Sequence, residues 1–87
     1  MSNQTLFSDD AVKILGFGFA AGHLLASHTA PMAVMLYFVS GEAELTIDGE
    51  TKAVSHGSLV HLTAGVTHSV LAKTRVAMLL LMLKQSR

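Results

Sequence analysis

Glycine-bearing turns cut this chain into apolar segments too short for helices of ordinary length, and that punctuation constrains its fold more than any other feature. Met32 to Val39 is rich in β-branched, aromatic and methionine residues and stops at Ser40-Gly41. Glu44-Leu45-Thr46-Ile47-Asp48 then alternates polar with apolar residues, the period-two pattern of a half-buried strand. Asp48-Gly49 suits a two-residue type I′ turn, whose central positions both need positive φ, so a hairpin into Thr51–Val54 is expected. His56-Gly57 marks another turn, Leu59 to Thr63 a short strand, Ala64-Gly65 a further turn, and His68 to Ala72 the next strand. Val76 to Leu83 closes the series, and its brevity and all-β neighbourhood favour a strand buried on both faces over a short core helix.

Ala11 to Ala26 is apolar but interrupted by Gly16, Gly18 and Gly22, which are poor helix residues and fit a kinked strand. Met1 to Asp10, polar apart from Leu6 and Phe7, reads as a frayed lead-in. Many short strands at regular spacing imply an all-β barrel or sandwich. A single domain over residues 1–87 is expected, without internal linker, repeat or low-complexity tract.

At 87 residues the chain has room for one core, and folding at this size buries only about 60 to 65% of the accessible surface. Yet 51% of the residues are hydrophobic, so surplus apolar surface is expected to meet a second copy in a homodimer. The absence of cysteine removes disulfides, thiolate metal sites and a cysteine nucleophile. All six acidic residues lie at or before Glu50 and five of the six basic ones follow it. Antiparallel pairing would mix the two halves, and no basic stripe marks a nucleic-acid partner. Val76 to Leu83, the longest apolar run, is far shorter than the roughly 20 residues of a membrane-spanning helix, so no membrane partner is expected. No basic segment followed by an apolar stretch opens the sequence, which makes the cytoplasm the expected location.

From Gly22 to Gly41 the chain resembles the first motif of the cupin family: a glycine, five residues, a His-x-His pair, a glutamate and a further glycine. Gly22, His28 and Gly41 stand at the matching places. From Gly57 to His68 it is similar to the second motif, a glycine, a proline-x-glycine turn and a histidine, matched by Gly57, Gly65 and His68. Ser40 to Glu50 reads like the family's central hairpin. The resemblance spans residues 12–83 and implies an all-β fold of the cupin type, a double-stranded β-helix or jelly-roll barrel.

The resemblance also implies a site of three imidazoles and one carboxylate around a divalent ion, in which the carboxylate offsets the ion's charge inside an apolar barrel. Here the second histidine of the pair is Ala30, the glutamate place falls on Val34 or Met35, and the proline is Thr63. His28 and His68 are the two ligands that survive, a weak site for a divalent transition metal unless other donors complete it. His61, on the strand leading to His68, is the candidate third imidazole; the plainer alternative is an exposed strand histidine. The expected pocket residues are therefore His28, His68, His61 and Ala30.

His23 has the opposite strand parity to His28 and should face away, and His56 lies in a turn. Glu42 and Glu44 alternate with apolar residues and should face solvent. Met32, Met35, Met78 and Met82 suit core or dimer packing better than an adaptable pocket wall.

Two functions stay open. One is a small-molecule-binding module, such as a sensor, with an apolar interior and a few polar groups at one mouth. The other is a metal-dependent enzyme of the dioxygenase, isomerase or decarboxylase type, using His28 and His68, with His61 as the candidate third ligand. A third reading leaves the fold as a dimeric scaffold; separately, the plainer role for His28 and His68 is hydrogen bonding to each other, to water or to the backbone. No Gly-x-Ser-x-Gly elbow and no phosphate-cradling loop point elsewhere.

Overall fold

The computed structural model describes residues 1–84 and contains, among them, nine strands and no helix. The strands are β1 Ser2–Ser8, β2 Val12–Phe19, β3 Leu24–His28, β4 Val34–Ser40, β5 Glu42–Ile47, β6 Glu50–Ser55, β7 Leu59–Leu62, β8 His68–Ala72 and β9 Val76–Leu83. They form a five-stranded sheet in the order β1-β2-β9-β4-β7 and a four-stranded sheet in the order β3-β8-β5-β6, with antiparallel neighbours throughout. This is the all-β jelly roll expected from the sequence. Among the described residues no helix is long and apolar enough to cross a membrane.

Alternation along the strands builds the core. Val34, Leu36 and Phe38 of β4 and Val76, Met78 and Leu80 of β9 point inward from the larger sheet. Ala43 and Leu45 of β5 and Val70 and Ala72 of β8 meet them from the smaller one. Asp48 (φ 48°) and Gly49 (φ 87°) both adopt the positive φ that a type I′ hairpin requires, which sets the Ile47–Glu50 register of β5 with β6.

Gly41 has a second reason to be glycine. Its φ is 92°, and a Cβ there would land on the carbonyl oxygen of Arg75, where the chain enters β9. Gly49 has a similar φ but open space around it.

Two expectations are corrected. Residues 1–10 are not a frayed lead-in: Ser2–Ser8 pair with β2 as the edge strand of the larger sheet, because two-sided exposure does not prevent a polar strand from satisfying its backbone on a neighbour. Ala11 to Ala26 is not one kinked strand but parts of two, β2 and β3, which belong to different sheets and are separated by the turn at Ala21-Gly22. Of the domain expected over 1–87, residues 85–87 lie outside those described.

Comparing two glycine substitutions separates steric from conformational cost. Gly49→Ala should cost only the left-handed backbone penalty, about 1–2 kcal/mol. Gly41→Ala adds the collision with Arg75 and should lower Tm by at least twice as much, read by thermal unfolding of the two variants side by side. Equal losses would mean that the contact between Gly41 and the start of β9 contributes nothing.

Candidate functional site

β3 and β8 lie side by side in the smaller sheet, with Leu24 opposite Leu71, Leu25 opposite Val70 and His28 opposite His68. The register slips by one between Leu25 and His28. Continued without that slip, the ladder would set Ser27 opposite His68 and His28 opposite Thr67. An extra residue in one strand re-aims the side chains beyond it, and here it turns His28 onto His68. The two ring centroids are 4.3 Å apart with the planes inclined by 63°.

Both rings are tied to the backbone in the same way. Nδ1 of His28 lies 2.8 Å from the carbonyl oxygen of Ala26, and Nδ1 of His68 lies 3.2 Å from that of Val66. A carbonyl only accepts, so each Nδ1 carries the hydrogen and, in the neutral ring, each Nε2 keeps its lone pair. Two such Nε2 atoms cannot hydrogen-bond each other. Of the plainer roles considered for the pair, backbone bonding holds and mutual hydrogen bonding between neutral rings does not.

His68 is only 3% exposed, the one buried polar residue among those described, whereas His28 is half-buried. Burial pushes the His68 imidazole below its ordinary value of 6.5; the Val66 carbonyl opposes this and the charge of a protonated His28 adds to it. His68 is therefore held neutral more firmly than a free histidine.

The surroundings are loops from three connections. The β3–β4 and β7–β8 connections are joined by the Gly65 N–H donating to the Ala30 carbonyl at 2.8 Å. The β5–β6 turn is held by the Asp48 N–H donating to Thr67 at 2.8 Å. Ile47 stands opposite His68 on the other flank, and Ala30, Ile47 and Val66 pack against the core. The site is thus a pair of imidazoles in an apolar collar at one end of the barrel.

The other candidates lie apart from it. His61 does not join the pair: it is exposed on β7, paired with Met35, while Leu62 beside it is buried. With Leu62 filling the core, strand alternation turns His61 outward. His23 and His56 are exposed. Of the two places where the glutamate could fall, Val34 is in the core and Met35 is on the opposite face of its strand. Glu44 pairs with Lys73 at 3.4 Å on the outside of the smaller sheet.

Among the described residues no three His, Cys, Asp or Glu side chains are grouped to hold a metal ion. Two imidazoles without a carboxylate do not fit the four-donor set implied by the resemblance, and the Ala30 side chain offers no donor atom. The backbone carbonyls of Ala26 and Val66, which fix the tautomers, carry no sequence signal, because every residue has one.

A cupin-domain family model matches residues 17–84. A conserved protein of unknown function from Streptococcus pyogenes is 31% identical, with a TM-score of 0.88 over 99% of this chain and 75% of that one. A cupin superfamily protein from Desulfitobacterium hafniense is 24% identical, with a TM-score of 0.89 over 97% of this chain and 77% of the other. An RmlC-like cupin from Shewanella frigidimarina shares the fold at 19% identity, with a TM-score of 0.89 over 98% of this chain and 77% of that one. No curated protein matches the sequence. The family match over most of the chain, the jelly roll and the two motif histidines brought together across β3 and β8 lead to one conclusion: the chain belongs to the cupin family.

Proposed function

We propose that this chain is a small-molecule-binding cupin module, of the kind that serves as a sensor, and that its ligand is held by His28 and His68 at the mouth of the barrel. The observation that carries this reading is the shared tautomer. Both Nδ1 atoms are occupied by backbone carbonyls, so both Nε2 atoms are left to accept. The matching ligand is an uncharged molecule with an apolar body and a hydroxyl or N–H group, since the neutral rings accept and the collar of Ala30, Ile47 and Val66 is apolar. A carboxylate ligand would need a protonated ring, which the burial of His68 opposes.

A binding role is preferred to a metal-dependent one because, among the described residues, the carboxylate and the third imidazole have no counterpart near the pair. Protein purified without a nickel column should carry no stoichiometric metal by elemental analysis. Stoichiometric metal that disappears in His28→Ala and His68→Ala would reverse the assignment in favour of the enzyme.

Ligand binding can be followed at the rings themselves. In long-range ¹H–¹⁵N spectra, small phenols and alcohols that bind should move the Nε2 resonances of His28 and His68 while the Nδ1 resonances stay those of protonated nitrogens. Ligands that bind without moving either Nε2 would place the site elsewhere.

The pH dependence has a definite sign. Because the folded His68 has a lower pKa than its ordinary 6.5, the unfolded chain takes up that proton first as the pH falls. The stability is fully present above about 6.5 and is lost as the pH drops through the depressed folded value. Urea unfolding from neutral pH down to about pH 5 should show this decline, and His68→Gln should flatten it. An unchanged slope in the variant would remove His68 as its source.

A further inference from the structure

The barrel is hollowed at the end away from the histidine pair. β8 begins at His68 and leads, through the turn Lys73-Thr74-Arg75, into β9 at that far end. A cavity of about 480 Å³ opens there, lined among others by Ser2, Gly18, Ser40, Arg75 and Ala77. Small-ligand sites typically occupy roughly 300–1,000 Å³.

Strand register explains the hollow. Ser2 stands opposite Gly18, Gly18 opposite Ala77 and Ala77 opposite Ser40, so one row crosses β1, β2, β9 and β4 with no side chain larger than a hydroxymethyl group. At about 4.8 Å between strands this row is roughly 14 Å long. A Cβ added at Gly18 would meet only the Ser2 hydroxyl, at 3.1 Å. In the next row Phe19 and Val76, opposite each other, turn into the core and lay hydrocarbon beneath the floor.

Arg75 is the one charged side chain that lines the cavity. It lies two residues before Ala77, on the same face of the strand. The one ion pair among the described residues joins Lys73 to Glu44 on the smaller sheet, which leaves Arg75 without a carboxylate. Its backbone is pinned: the Arg75 carbonyl accepts from the Thr74 hydroxyl at 3.0 Å and stands where any side chain at Gly41 would have to go. The root of the guanidinium is therefore fixed before anything binds, which lowers the ordering cost of binding.

We propose that this cavity binds a small organic acid, whose single carboxylate is held by the Arg75 guanidinium and whose apolar body lies along the Gly18–Ala77 floor, between the hydroxyls of Ser2 and Ser40. A guanidinium offers two parallel N–H donors that match a carboxylate. One cation offsets one negative charge, so a monocarboxylate suits the site better than a phosphate dianion does. The small side chains of the floor leave room for a ring or branched chain, whose burial adds to the ion pair. This assignment does not depend on what binds at His28 and His68.

Benzoate is the probe. Titrated into the ¹⁵N-labelled full chain, it should move the amide resonances of Gly18, Ser40 and Ala77 saturably and leave those of His28 and His68 in place. One exposed ion pair and one buried ring face set its Kd on the order of 1 mM. Benzamide, which keeps the ring and lacks the charge, should bind more weakly by about fivefold or more. Arg75→Gln should weaken benzoate by the same factor and leave benzamide unchanged, whereas Ala77→Leu, which fills the floor and keeps the charge, should weaken both. Circular dichroism checks that each variant is folded. Equal affinity for benzoate and benzamide in the unaltered protein, or no saturable shift with benzoate, overturns the proposal without any variant having to fold. So does inorganic phosphate binding more tightly than benzoate, which would make this end a general anion patch, and so do benzoate shifts confined to the surroundings of His28 and His68.

Discussion

The one-residue slip in the pairing of β3 with β8 is the constraint on which the candidate site depends. The two histidines are far apart in sequence and belong to separate motifs, and only the ladder between these strands brings them together. Strand side chains alternate, so a register error of one residue would exchange His28 for its neighbour at that place. The bulge is tolerated because β3 is the edge of its sheet, with a partner on one side only. Its effect is to place a half-buried imidazole against a buried one and leave both Nδ1 atoms to backbone carbonyls.

That arrangement explains how a barrel of this family can keep its shape while its chemistry changes. The interior does not depend on the metal site, because Leu36, Phe38, Leu45, Val70 and Met78 fill it with hydrocarbon. Replacing a ligand histidine by Ala30 or a carboxylate by Val34 or Met35 removes donors from the mouth without opening the core. In Val34 the core gains a packed side chain, since that residue is 1% exposed. What remains at the mouth is the pair His28 and His68, each ring tied through Nδ1 to a backbone carbonyl. Fold and function separate here at the level of single side chains.

The two sheets also divide the work. The smaller one is conventional, with the His68 end of β8 facing inward and carboxylates outside. The larger one is organised around β9, which lies at its centre and is apolar on both faces. Among the described residues no helix covers its outer face. Exposed large hydrophobic residues occur on both sheets, Tyr37, Val39 and Leu59 on the larger and Leu24 on the smaller.

Local signals in the sequence determined the strands and turns from Val34 to Leu83: alternation in Glu44 to Asp48, positive-φ chemistry at Asp48-Gly49, and glycine at every break except that between β8 and β9. These are decided by neighbours within a few residues, so they are legible in one dimension. The polar edge strand β1 was not, because the sequence of Ser2–Ser8 holds no apolar pattern and its order comes from hydrogen bonds to β2. Nor was the outward turn of His61, which follows from Leu62 and Val60 facing the core across a strand whose parity relative to β8 is lost in the intervening turn. Motif residues identified His28 and His68, but their 4.3 Å separation and shared tautomer were decided by tertiary structure alone. The ladder slip and the carbonyl partners are backbone properties, and backbone atoms are the same at every position of the sequence.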